Sequence, residues 1–472
     1  MSAHEQNPLN SRISRRQTLK IMGGLASMAA LSACVAPVAP GAATSGEAAA
    51  PAGEMAKLVV AHRREYFAEM ETLFADAVMK WGADNNVEIE TTTVAAEANQ
   101  DFVPKLLAQV QAGDPPNLVY HIRLVQQLFA QNAVEAVTDV VAEMTEAYGE
   151  PPYGQRAINL IEGDWYGIPY MMHGGGQFAR RSVFEGAGID PTTLASYQER
   201  ADAALAVTDT ANDLYGWGLT VNTGGDATGF IESVMQNWGG HYTSEDMSEV
   251  TFNSPETLAA VEWLTEIYTG EQYAPMLPPG LMSWNDSSNN EAFLAGQVAY
   301  THNAASVYAK AKADSNPIFD DIVVLETAVG PTNTKLEAGG GGQFNIPRGA
   351  TNQDLSKELA KYMIQPDVFL PISLISAGLF LPAYANYFTM DEVVAAFAAD
   401  PNLATMGLSA QGSHVGSSWP AAPSPLFDSI AAQAVLTDMM AQIIAQGQTP
   451  ADAVQQAHER IISIGQEMGM FS

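Results

Sequence analysis

Three strand-like runs, Lys57–Ala61 (apolar and suited to a buried strand), Val87–Val94 and Leu118–Ile122, alternate with helical segments, and this alternation restricts the fold more than any other feature. Between the first two, Phe67, Met70, Phe74, Ala77 and Trp81 recur at helical spacing and form one apolar face. An Ala-Asp-Asn-Asn turn at 83–86 leads into the β-branched second run. The next helix is expected from Asp101 to Ala112, stopping at Gly113 ahead of Asp114-Pro115-Pro116. Strand–helix–strand order implies an α/β fold with a mainly parallel sheet covered on both faces.

The same grammar returns late in the chain. Asp354 opens a helix lined by Leu355, Leu359 and Tyr362-Met363. Ser424-Pro425 and Thr449-Pro450 each set a capping residue before a proline at the first helical position, and Asp452 follows three residues after Thr449. The longest apolar stretch, Val368–Ala383, is broken by Pro371, Gly378 and Pro382 and is too short for a membrane span, so it is expected in the core.

A length of 472 residues allows two or three domains, and 47% apolar with 16% charged residues is a folded, globular composition. The formal charge of −32 argues against a nucleic-acid partner, because phosphate binding needs concentrated Lys and Arg. Most of these carboxylates read as solvated surface. The single cysteine, Cys34, excludes an intramolecular disulfide and a cysteine metal cluster.

Residues 1–33 read as an export signal, with Ser14-Arg15-Arg16-Gln17-Thr18-Leu19-Lys20 preceding an apolar stretch from Ile21 to Ala33. The arginine pair resembles a twin-arginine signal with Thr18 in place of the usual large apolar residue, which leaves the export route open. Leu31-Ser32-Ala33-Cys34 looks like a bacterial lipobox, with Cys34 as the lipidated residue. Residues 34–55, rich in Ala, Pro, Gly, Ser and Thr, cannot bury a core and read as a flexible tether.

From Lys57 onward the order of motifs resembles the carbohydrate-type (family 1) extracellular solute-binding proteins of bacterial ABC importers. The matching segments begin with Asp114-Pro115-Pro116-Asn117-Leu118-Val119 and Asp164-Trp165-Tyr166-Gly167-Ile168-Pro169-Tyr170. Phe184-Glu185-Gly186-Ala187-Gly188-Ile189-Asp190-Pro191 follows, with Arg180-Arg181 where the family has Asn-Lys. Then come Tyr215-Gly216-Trp217-Gly218-Leu219, Asn237-Trp238-Gly239-Gly240, Phe252-Asn253-Ser254-Pro255-Glu256 and Phe293-Leu294-Ala295-Gly296-Gln297. The Gly339–Gly342 run with Gln343-Phe344-Asn345-Ile346-Pro347 completes the set.

The resemblance implies a two-lobed periplasmic-binding-protein fold of type II with the ligand in the cleft between lobes. Lobe 1 is expected to comprise 56–166 and 338–385, and lobe 2 to comprise 167–337 and 386–472. The chain would cross near Asp164–Tyr170, Val329–Gly339 and Leu381–Asp391. Closure would present a surface that an ABC permease's transmembrane subunits can distinguish. The implied protein is a monomer without cofactor or metal, exported to the cell envelope and held to the membrane by its lipid alone.

A sugar calls for aromatic faces and for side chains that both donate and accept hydrogen bonds. Trp284 stands where the family often supplies a stacking aromatic, and Trp238 precedes Gly239-Gly240. Tyr170 and His173 lie near an expected crossing. His62, Asn99, His121 and Arg123 follow the first three strands, at the carboxyl edge where α/β sheets bind ligands. Asn303 and the backbone N–H groups of Gly341 and Gly342 complete the candidates. For each of these, core packing or an ordinary loop role is the competing reading.

His173-Gly174-Gly175-Gly176 matches an esterase oxyanion tetrad, but no Gly-x-Ser-x-Gly elbow accompanies it, so a hinge or cleft loop is expected. The eight histidines show no HExxH pairing. An exported carbohydrate-processing enzyme, a polyamine binder and a sugar-phosphate binder using Arg123 or His121 are the alternatives.

Overall fold

The computed structural model describes residues 55–64, 68–94, 99–122, 125–222, 224–332, 334–336, 340–411 and 416–471. The export signal, Cys34 and nearly all of the tether therefore lie outside the described residues, as does Arg123. Residues 55–472 form one compact unit.

The strands in chain order are β1 (Ala56–Arg63), β2 (Val87–Val94), β3 (Leu118–Ile122), β4 (Leu160–Ile161), β5 (Asp164–Trp165), β6 (Ile168–His173), β7 (Gly175–Arg180), β8 (Tyr300–Ala304), β9 (Ile322–Leu325), β10 (Gly341–Asn345) and β11 (Phe380–Pro382). They form a six-stranded sheet in the order β11-β6-β10-β3-β1-β2, a three-stranded sheet β8-β7-β9 and the small β4–β5 hairpin. The three-stranded sheet is buried on both faces. In β7 and β9, Phe178, Ile322 and Val324 enter one apolar cluster while Ala179, Val323 and Leu325 enter the other, as a period of two requires.

The first sheet is mixed rather than mainly parallel. β1 runs parallel to β2 and β3, whereas β10 is antiparallel to both β3 and β6, and β11 is antiparallel to β6. The strands alternating with helices at the start of the chain supply the parallel part. β10 returns from the other sheet and enters from the opposite end.

The helix after β1, Ala68–Asp84, buries Met70, Phe74 and Trp81, as its periodicity predicts. The next helix begins at Asn99 and carries Pro104 inside it. Val368–Ala383 divides into most of helix Pro366–Ile375 and the buried strand β11. Thr449 caps helix Pro450–Glu467 by accepting from the Asp452 N–H at 3.2 Å.

The chain passes between the sheets at His173–Gly175, again between β9 and β10, and again after β11. The first passage therefore lies after β6, not at 166/167, and Ile168–His173 belongs to the first sheet. Pro169 inside this stretch suggests a break, since proline cannot donate to a ladder. The structure accommodates it with a register shift: Gly342 pairs with Met171 but Gln343 pairs with Pro169, leaving Tyr170 as the extra residue.

Candidate functional site

Because β6 ends at His173 and β7 begins at Gly175, the two sheets present edges to one another across the single residue Gly174. The first contributes the carboxyl ends of β1, β3 and β6 and the start of β10. The second contributes the start of β7 and the end of β8, where Gly176 pairs with Asn303. The two halves also touch beyond this bend, where Gln127 Nε2 of helix Val125–Ala130 donates to Asp428 Oδ2 of helix Pro425–Ala432 at 3.2 Å.

His62 is buried near the end of β1. Its Nδ1–H donates to the Arg63 carbonyl at 3.0 Å, its ring lies 4.9 Å from Phe74, and Glu71 Oε1 stands 3.8 Å away. His121, on β3, is fully buried and stacks on Phe102 with ring centroids 4.9 Å apart and planes 14° from parallel. His173 ends β6 half-buried, edge-on to Phe380, with its N–H on the Gly340 carbonyl at 3.3 Å. These three share the first sheet's edge. Asn99 opens its helix at the same edge.

Gly341 and Gly342 belong to the ladder itself. Gly342 pairs with Ile122 on one side and Met171 on the other, and a Cβ on Gly341 would collide with the Met171 carbonyl oxygen. Their lack of side chains serves close strand packing.

Three further candidates are likewise buried, in packing or bonding roles within one half. Tyr170 is buried among Tyr120, Phe344 and Phe369 at 5.0, 4.7 and 5.3 Å. Trp238 packs against Tyr197 and Trp263 at 5.5 and 5.1 Å. Asn303 donates to Asn290 Oδ1 and accepts from Ser306 Oγ at 3.1 Å, so its amide is spent within the second lobe. Trp284 differs. It is half-buried after the short turn Leu281–Ser283 and packs against both main apolar clusters, leaving part of its ring available.

Three features escaped sequence reasoning. Arg63, directly after His62, keeps only 8% of its surface exposed, and its Nε and Nη1 are buried without a hydrogen-bond partner. Gln343 on β10 is fully buried with neither amide atom bonded. Two carboxylates also meet near Trp284: Asp286 accepts from the Gly225 and Asp226 N–H groups at 2.8 and 3.1 Å, and Asp226 accepts from Asn289 Nδ2 at 3.0 Å. The available signal for the first was the Arg63-Arg64 pair following the apolar run Leu58–Ala61 and His62. A separate hollow, lined by Gly239, His241, Thr243, Ser244, Glu256 and Pro420, belongs wholly to the second half. Among the described residues no group of three His, Cys, Asp or Glu side chains is arranged to hold a metal, and no helix is long and apolar enough to cross a membrane.

A family model for bacterial extracellular solute-binding proteins matches residues 76–405, more than half of the chain. The chain belongs to this family. Solved structures agree on the two-lobed fold of this solute-binding protein. A Thermotoga lettingae ABC transporter solute-binding protein bound with α-D-tagatose is 19% identical, with a TM-score of 0.72 over 87% of this chain and 99% of that one. The maltose-bound MalE3 protein of T. maritima is 15% identical, TM-score 0.71, over 86% and 99%. A Listeria monocytogenes ABC substrate-binding protein in complex with cycloalternan is 18% identical, TM-score 0.69, over 89% and 100%. No curated protein sequence matches the chain.

Proposed function

We propose that this solute-binding protein is the capture component of an ABC importer and takes a sugar or oligosaccharide, returning it chemically unchanged to the permease's transmembrane subunits. The observation that carries this reading is the meeting of two sheet edges across His173–Gly175, a cleft bordered by polar and aromatic side chains. The solved proteins of the same fold are named with tagatose, maltose and cycloalternan. Trp284 supplies the flat apolar face on which a sugar ring's C–H patches stack. His62, His121 and His173 mark the polar edge opposite the second sheet. The protein works as a monomer, exported and held to the membrane through lipidated Cys34.

Thermal shift with hexoses, pentitols, disaccharides and α-glucan oligosaccharides tests the reading, with putrescine and spermidine as contrast. A ligand present at about 100 times its Kd adds about 2.7 kcal/mol to folded-state stability. A sugar is expected to raise the melting temperature and to be recovered intact by mass spectrometry. Stabilisation by polyamines alone, or a turnover product, overturns the proposal.

A further inference from the structure

Arg63 closes β1 with two of its three guanidinium nitrogens removed from water. Only 8% of the residue is exposed, Nε and Nη1 make no hydrogen bond, and among the described residues no carboxylate lies within 4.0 Å to pair with it. Burial of a charge without a partner is costly, and native proteins avoid it. The same molecule shows the usual solution. Arg200, 4% exposed, donates Nε to the Leu194 carbonyl at 3.0 Å, Nη2 to the Glu326 carbonyl at 2.7 Å, and Nη1 to Gln177 Oε1.

Arg63 is also not alone. The parallel register sets Ala61 beside Val119 and His62 beside Tyr120, so its next step sets Arg63 level with His121. His121 in turn pairs with Gln343 on β10. Side chains alternate along each strand: Tyr120 and Phe344 enter the main core, whereas Ala61 and Val119 enter the small cluster with Phe102. Arg63, His121 and Gln343 therefore form a row on that second face, across three adjacent strands. Gln343 is 0% exposed, and both its amide nitrogen and oxygen are unbonded. An unspent cation and an unspent amide stand two strands apart at the edge that borders the cleft.

We infer that the captured solute carries an oxyanion, a carboxylate or a phosphate on a sugar, which pairs with Arg63 while Gln343 bonds a neighbouring polar group. This rests on the sugar-capture reading and narrows it to acidic sugars. A chain of formal charge −32 does not attract anions by its overall field, so the positive charge must act locally, at contact. A polyamine placed beside Arg63 would meet like charge in a desolvated setting.

Calorimetric titration of the full chain with glucuronate, galacturonate and glucose 6-phosphate, each against glucose or galactose, tests the inference. An acidic probe is expected to bind at least about tenfold more tightly than its neutral counterpart, the worth of one charge-assisted bond. The uronate and phosphate arms separate the two oxyanions. Arg63→Met is expected to abolish that preference yet raise the melting temperature of the ligand-free protein, because it removes a buried unpaired charge. A purely structural arginine would lower stability when replaced. Arg63→Lys, which keeps the charge, should retain part of the preference if the methionine variant folds poorly. Neutral sugars binding as tightly as acidic ones overturns the anion inference and leaves sugar capture standing. Binding of no sugar, acidic or neutral, overturns both.

Discussion

Asp226 opens the helix Gly225–Trp238, next to Asp286 and bonded to the Asn289 amide. Burial, reinforced by the nearby Asp286 charge, raises its pKa to about 7, against the opposing effect of the Asn289 hydrogen bond. An unfolded aspartate titrates near 4, so between pH 4 and 7 the folded chain holds a proton that the unfolded chain has released. Stability contributed by this group is therefore present at low pH and lost as pH rises through about 7. Asp226→Asn keeps the shape and the acceptor for Asn289 without the charge. Its melting temperature is expected to match the parent at pH 4.5 and to exceed it at pH 8. Parallel melting curves across that range would show that the carboxyl is not burdened by folding. Residue chemistry of this kind is only half legible in the sequence. Trp238 and Tyr170 have the right type for a sugar face, but their depth is set by Trp263, Tyr197 and Phe344, which lie far along the chain. His62 and Arg63 sit side by side, yet strand alternation sends them to opposite faces, and only the partners on β3 and β10 reveal which one lacks bonds.

The elements most exposed to this limit are those that cross between sheets. Gly174 stands between β6 and β7, and a Cβ placed there would land on the Gly378 carbonyl oxygen, next to Leu381. The first passage between the sheets thus leans directly on the backbone leading into β11. Gly174→Ala is expected to cost about 1–3 kcal/mol by overpacking, seen as a lower urea midpoint. Gly186→Ala is the control, since nothing lies within 4 Å of its added methyl, and it should be neutral or slightly stabilising. Equal stability of the two variants would mean that the Gly174–Gly378 approach relaxes without cost. Sequence pattern found β1, β2, β3 and their helices because local periodicity determines them. It misplaced the first crossing because β6 contains Pro169 and survives only through the shifted register opposite Gln343. No local pattern specifies β10's direction, which follows from its return out of the second sheet.

Across the whole molecule, the cleft is a consequence of three passages, and the two halves already meet at Gln127 and Asp428. A body that delivers a solute by closing needs to stay near its permease without being embedded in lipid. Residues 34–55, rich in Ala, Pro, Gly, Ser and Thr, are the tether proposed for this role. A net charge of −32 disfavours adsorption to an anionic membrane surface, and the proposed retention rests on lipid carried by Cys34. Each buried acyl methylene adds about 0.8 kcal/mol, and more than one chain is required for stable anchoring. Cys34→Ser is therefore expected to move the protein from the washed membrane fraction to the soluble one. Affinity for the solute should not change, because the cleft is built entirely from residues beyond the tether. If the serine variant stays with washed membranes, the lipid anchor is wrong and another element of the envelope must hold this acidic body in place.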